Sequence, residues 1–181
     1  MATRSYNAVE AAILKLKAVG INFVAVDFDQ TIIDVHTGGR WSGTPEELSV
    51  HVRPEFKQLL PAMLRNQICV AVVTFSPQTS MIQRILEQIV GPDQSSRIPI
   101  RGGDRTWSYD GEGSKAGKQA HMASAVEELE QDGTIRITRA TTVLIDDDVN
   151  NLRHAFKNGV RGVWLNPGKP NHLFRDLKNL E

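Results

Sequence analysis

The sequence predicts an α/β fold of the doubly wound kind, a three-layer sandwich with a central parallel sheet and helices on both faces. Three observations predict it. Helix-like and strand-like segments alternate along the chain. The strand-like segments are continuous apolar runs, as strands buried on both faces must be, and burial on both faces is the condition of a parallel sheet. Finally, several of these runs end on acidic or hydroxyl side chains, at the strand ends where such sheets bind ligands.

Each element has its own signal. Apolar periodicity marks a first helix over about Tyr6 to Val19, ended by Gly20. Ile21 to Val26 is a short, Val- and Phe-containing run, read as a strand that closes on Asp27, Phe28 and Asp29. Residues 34–53 are rich in Gly, Ser and Thr and read as a flap-like loop with one helical turn at Pro45 to Leu48. Pro54 opens a helix through Arg65, proline being at home in a first helical turn. Ile68 to Val73 is the second strand, ending at Thr74. A helix starts at Ser76 and Pro77 and runs to about Val90, where Gly91 and Pro92 stop it. Ile98 to Arg101 is a third strand, followed by a polar, Gly-rich loop over 102–115 and a helix from about Ala116 to Gln131. Thr141 to Ile145 is the fourth strand and ends in Asp146, Asp147 and Asp148. Helix Asn150 to Asn158, strand Val160 to Leu165 and a short helix His172 to Leu180 complete the chain. No repeat or linker divides it, so residues 1–181 are expected to form one domain, with residues 1–20 packed on the core.

Composition narrows the function. Hydrophobic residues make up 40%, and Lys plus Arg balances Asp plus Glu at 21 each. A binder of bulk nucleic acid carries a basic excess, which is absent here. No apolar run approaches the roughly 18 residues of a membrane span. The N-terminus has no signal-peptide core, so a cytoplasmic protein is expected. The single cysteine, Cys69, lies in an apolar run and reads as a small buried hydrophobe. Gly111 to Lys118 has the look of a phosphate loop, but Glu112 stands where its first Gly belongs and Gln119 where Ser or Thr is required.

The chemistry lies at the strand ends. A helix cap or a turn explains one aspartate, or two. It is a poor account of Asp27 with Asp29 and of Asp146 to Asp148, on strands expected to lie close together. Clustered carboxylates without cysteine or a histidine spacing suit a hard cation, and magnesium takes oxygen ligands and bridges to phosphate.

Four motifs in order then resemble the haloacid dehalogenase (HAD) superfamily of phosphohydrolases. Asp27-Phe28-Asp29-Gln30-Thr31 fits its first signature, D-x-D-x-T after an apolar strand, with Gln30 where Gly is common. Thr74 fits the second. Lys118, opening a helix with His121 three residues on, fits the third better than Lys115. Asp146-Asp147 with Asn151 fits the fourth. The resemblance implies a Rossmann-like core with strand order 5-4-1-2-3. It implies a magnesium-dependent phosphatase in which Asp27 is the nucleophile and Asp29 the general acid and base. Thr74 and Lys118 would hold the phosphoryl group, helped by Thr31, Phe75 and Ser76. Asp27, the Asp29 carbonyl, Asp147 and Asp146 would bind magnesium, supported by Asn151. For Asp148 a helix cap is the plainer reading. For His36, Trp41 and Arg53 a structural role is at least as good as a place in the site, and the Arg101 to Trp107 stretch lies where it could touch substrate.

The family's lid domains fall between the first and second, or the second and third, signatures. Here each interval already holds a helix and a strand, so the protein resembles the capless magnesium-dependent and phosphoprotein phosphatases. An open site admits a phosphorylated protein or a small phosphorylated metabolite; alternatively a second copy of the chain covers it. Two rival readings keep the fold: a phospho-accepting signalling switch and a non-catalytic phosphate-binding module.

Overall fold

The computed structural model describes residues 2–109 and 111–181, with side chains throughout except at residues 2–7 and 114. Met1 and Asp110, which belong to the expected N-terminal segment and the 102–115 loop, lie outside the described residues. Five parallel strands form the sheet: β1 (Phe23–Val26), β2 (Cys69–Val73), β3 (Ile100–Arg101), β4 (Thr142–Asp146) and β5 (Arg161–Trp164). Their order is β3-β2-β1-β4-β5, the expected order read from the other edge. The helices are α1 (Ala2–Ala18), α2 (Pro45–Ser49), α3 (Pro54–Arg65), α4 (Thr79–Val90), α5 (Pro92–Ser95), α6 (Gln119–Leu129), α7 (Val149–Lys157) and α8 (Leu173–Lys178).

Side-chain alternation divides the core in two. Val24, Val26, Val70, Val72, Val143 and Ile145 point to a face covered by α1, α3, α4 and α8. Phe23, Ala25, Ala71, Val73 and Leu144 point to the other, covered by α6 and α7. Successive strand residues face opposite ways. Asp27 therefore continues the row of Phe23 and Ala25, and Asp146 the row of Leu144, so both acids emerge on the α6–α7 side. The register sets them side by side: Val26 pairs with Ile145, and the Asp27 N–H donates to the Ile145 carbonyl at 2.9 Å.

Three local readings change. Gly91 and Pro92 end α4, but Pro92 also opens the short α5, as proline at a helix start can. β3 shrinks to two residues because the Ile98 N–H turns back to the Ser95 carbonyl at 3.1 Å instead of joining the ladder. The last helix begins with a 3-10 turn at Pro170–His172, where proline again starts the coil. The 34–53 flap is an out-and-back excursion. Its ends are tied by an antiparallel bridge between Ile33 and Val52, and α2 within it is closed by a capping box between Thr44 and Glu47. Among the described residues no helix is long and apolar enough to cross a membrane.

Candidate active site

A cleft of about 430 Å³ opens at the carboxyl end of the sheet. Asp27, Asp146 and Asp147 each place a carboxylate oxygen within 4.8 Å of the others there. Asp27 and Asp146 are buried, and Asp147 is half-buried. Lys118 comes in from the start of α6, 1% exposed, and donates to Asp27 Oδ1 at 3.0 Å. Its delivery depends on Gly117, which has φ +65° and lies so close to α7 that a Cβ would stand 2.8 Å from the His154 Cβ. The Ala25 and Ala71 side chains on this face are small enough to let α6 approach. Lys115, by contrast, is exposed in a short 3-10 turn.

Burial sets the electrostatics. Loss of water raises the Asp146 carboxyl to about 8, with the nearby Asp27 charge adding to it. Asp147 is raised to about 6 by the same two causes in the same order. Asp27 itself is raised by burial, although Lys118 pulls it down. Three carboxyl groups thus share one close ammonium. A hard divalent cation would relieve their repulsion, and the donor set, all oxygen, fits one.

The supporting contacts are specific. Asn151 donates through Nδ2 to Asp146 Oδ1 and Oδ2 at 3.1 and 3.0 Å, and the Asp148 N–H donates to Asp146 Oδ1 at 2.8 Å. Asp148 caps α7 by accepting from the Asn150 N–H at 2.8 Å, the plainer of its two readings. Thr31 takes a different task from the phosphate contact expected of it. It is fully buried, donates to Asp147 Oδ1 at 3.3 Å and accepts from the Asp147 N–H at 3.2 Å. Trp164, which sequence reasoning missed, donates from Nε1 to the Asp147 carbonyl at 2.8 Å.

Thr74, Phe75 and Ser76 line the cleft opposite the acids. Thr74 Oγ1 accepts from the Ser76 N–H at 3.1 Å. The Phe75 ring lies 3.9 Å below Lys118 Nζ, a cation–π contact that helps hold the ammonium in place. Behind Lys118, His121 packs edge-on to Phe75 and Trp107 and tilted against Tyr109. Burial, with the Lys118 charge second, lowers His121 to about 4, so it is neutral at pH 7. Asp29 stands at the cleft rim, where Thr37 Oγ1 donates to both its oxygens at 3.0 Å and His36 Nδ1 lies 3.2 Å away. The Asp29 carboxyl does not join the three-acid cluster.

Of the remaining candidates, His36 reaches the site through Asp29. Arg53 instead donates from Nη2 to the Gln30 carbonyl at 3.1 Å, bracing the turn after β1. Trp41, within the flap, packs its side chain on the core. Arg101 faces away from the cleft, paired with Glu128 and Ser124 on α6.

No family model matches the chain, and no curated protein does. Among solved structures, an uncharacterized protein from Corynebacterium glutamicum is similar in fold, with TM-score 0.51 and 20% identity over 90% of this chain and 98% of that one. The HAD domain of the effector protein Lem4 from Legionella pneumophila, solved as an inactive mutant, aligns more loosely. Its TM-score is 0.46 and its identity 16%, over 87% of this chain and 92% of that one. The first likeness is one of fold; the second decides nothing about this chain.

Proposed function

We propose that the protein is a capless, single-domain phosphohydrolase of the HAD type that cleaves phosphomonoesters with magnesium and uses Asp27 as the nucleophile. One observation carries the reading. Asp27 stands in a cleft between Lys118 and two further strand-end aspartates, and Thr74 lines the same cleft. Asp27, Asp146 and Asp147 would hold the magnesium ion, which when bound supplies positive charge against the carboxylates and the phosphoryl oxygens.

The protein's own groups account for the rest. An Asp27 oxygen forms a bond to phosphorus as the ester P–O bond breaks, and the leaving oxygen takes its proton from Asp29. Asp29, now a carboxylate, then removes a proton from water. The water oxygen attacks phosphorus, inorganic phosphate leaves and Asp27 is regenerated. Lys118 neutralises charge on Asp27 and the phosphoryl group throughout, while Thr74 and Ser76 offer hydrogen bonds to the phosphoryl oxygens. Asp29, two residues after Asp27, is what favours hydrolysis over a long-lived phospho-accepting switch, because it places a general base beside the phosphorylated group. The open cleft suits a phosphorylated protein side chain or a small phosphorylated metabolite.

The test is hydrolysis of p-nitrophenyl phosphate with magnesium. Turnover should vanish with a chelator and return when magnesium is restored. Calcium should inhibit, since its looser coordination invites both oxygens of a carboxylate. Full activity in chelator would overturn the metal's role, and no activity under any divalent cation would overturn the hydrolase reading.

A further inference from the structure

The hydroxyl groups around Asp29 have a direction that their neighbours impose. Thr37 Oγ1 accepts from the Gly39 N–H at 3.2 Å and from Gln78 Nε2 at 3.0 Å. A hydroxyl has two lone pairs and one proton. Both lone pairs are thus taken, and the one proton has Asp29 as its acceptor. Ser76 repeats the pattern. Its Oγ accepts from Gln78 Nε2 and from the Gln78 N–H, each at 3.3 Å, which leaves its proton for the cleft. The Gln78 amide cannot be turned over, because its Oε1 accepts from the Trp41 N–H, a group that can only donate. Gln78 therefore spends both amide protons and its oxygen on these three contacts. Two join the flap, Thr37 and Trp41, to the segment between β2 and α4; the third is to Ser76. Gly38 and Gly39, both at positive φ, give the 37–41 segment little stiffness of its own, so these contacts matter most there.

We infer that Gln78 is a positioning residue: it clamps the 37–41 segment at the rim of the cleft and aims the Thr37 hydroxyl at Asp29 and the Ser76 hydroxyl at the phosphoryl site. The inference rests on the proposed phosphatase chemistry, because it gives Asp29 the proton transfer that Thr37 orients. Thr37 acts on the two proton transfers of Asp29 alone, whereas Gln78 acts on those and on phosphoryl binding.

The experiment compares an aryl ester, p-nitrophenyl phosphate, with a simple alkyl phosphate. An aryl leaving group needs no proton, so formation of the phospho-enzyme from it, read as the p-nitrophenol burst, is insensitive to Asp29, whereas Asp29 serves as base in breakdown of the intermediate from either ester. Thr37→Val should lower kcat for the alkyl ester by roughly 10- to 100-fold, the worth of one hydrogen bond to a charged group, with the p-nitrophenol burst rate little changed. Thr37→Ser should restore the alkyl rate. Gln78→Met should show the same loss in alkyl kcat, and in addition a higher KM for both esters. The double variant should be no slower on the alkyl ester than Gln78→Met, because both act through one hydroxyl. A loss in the p-nitrophenol burst rate in Thr37→Val as large as the loss on the alkyl ester, or losses that multiply in the double variant, would overturn the inference. Should Gln78→Met not fold, the Thr37→Val and Thr37→Ser pair still decides the role of the hydroxyl. Hydrogen exchange of the Trp41 amide tests the clamp without catalysis. It should speed up in Gln78→Met while the β1 amides keep their protection, and an unchanged Trp41 rate would overturn the clamp. A wild-type protein that cleaves neither ester would sink the phosphatase reading and Asp29's role in it, and leave amide exchange to judge the clamp.

Discussion

The sheet end and the flap each hold carboxylates at one cleft, and they hold them in opposite ways. At the sheet end, Asp27, Asp146 and Asp147 crowd within 4.8 Å with a single close ammonium, that of Lys118. Burial pushes all three towards protonation. At the flap, Asp29, in the turn after β1, keeps its side chain 13% exposed and is met by the neutral hydroxyl of Thr37 and the imidazole of His36. The first arrangement leaves charge unmet, which is how a cation is attracted. The second leaves a carboxyl group hydrogen-bonded but near water, where it can give and take a proton. Removing a group from the sheet end should therefore damage the reaction as a whole, and changes in the flap should damage only the steps that move protons.

The largest effect is expected from Asp27→Asn. It retains an oxygen for Lys118 but removes the nucleophile and one of three repelling charges. Turnover should be abolished, while the melting temperature of the metal-free protein stays equal or rises. A lower melting temperature would show that the crowding is not a cost to the fold. Next comes Lys118→Ala, expected to lose on the order of a hundredfold or more in kcat/KM, a few kcal/mol of transition-state charge stabilisation. Lys115→Ala should be close to wild type. The reverse ranking would place the third signature three residues earlier.

The pH dependence sharpens the comparison further. Between its ordinary 3.8 and about 8, folded Asp146 keeps a proton that the unfolded chain has released, so metal-free stability falls as pH rises through that window. Asp147 acts in the same sense up to about 6. His121 acts in the opposite sense: lowered from 6.5 to about 4, it costs stability as pH falls through that range. From pH 6.5 to 8 the Asp146 effect is free of it. Thermal melts should show stability declining across that interval in wild type and a flatter profile in Asp146→Asn. Magnesium should raise the melting temperature more at pH 8 than at pH 6, because metal and protons compete for the same oxygens. An equal rise at both would break the link between crowding and metal.

The smallest effect lies between the two regions, in the turn after β1. Gln30 has φ 57°, a left-handed conformation that costs a side chain roughly 1 kcal/mol or more. Gln30→Gly should raise the unfolding free energy by up to about 1 kcal/mol with activity kept, provided the Arg53 contact to the residue 30 carbonyl survives; urea melts would measure it.

How much of this was legible in the sequence follows from how local each feature is. The bounds of α3 agree with the sequence reading at both ends, because Pro54 and the apolar period mark them directly. β1, β2 and β4 were legible as apolar runs ending in polar groups, and with them Asp27, Thr74, Asp146 and Asp147. Lys118 was legible by its place at a helix start. Pro92 was not, since proline both ends one helix and opens another. Thr31 was misread because its partner, Asp147, is distant in the chain and no spacing reveals it. Thr37, Gln78 and Trp164 were missed for the same reason: ordinary polar or aromatic residues become part of a site only through contacts the fold creates.

The central claim is that Asp27 carries the phosphoryl group, and chemical mapping of that residue tests it most directly. Asp29→Asn, which slows breakdown of the intermediate, would be mixed with p-nitrophenyl phosphate and magnesium, then quenched with borohydride, which reduces an acyl phosphate to an alcohol. Peptide mass spectrometry should find homoserine in place of aspartate at position 27, absent when chelator replaces magnesium. Reduction at another aspartate, or no reduction at any while the ester is still turned over, would contradict the account.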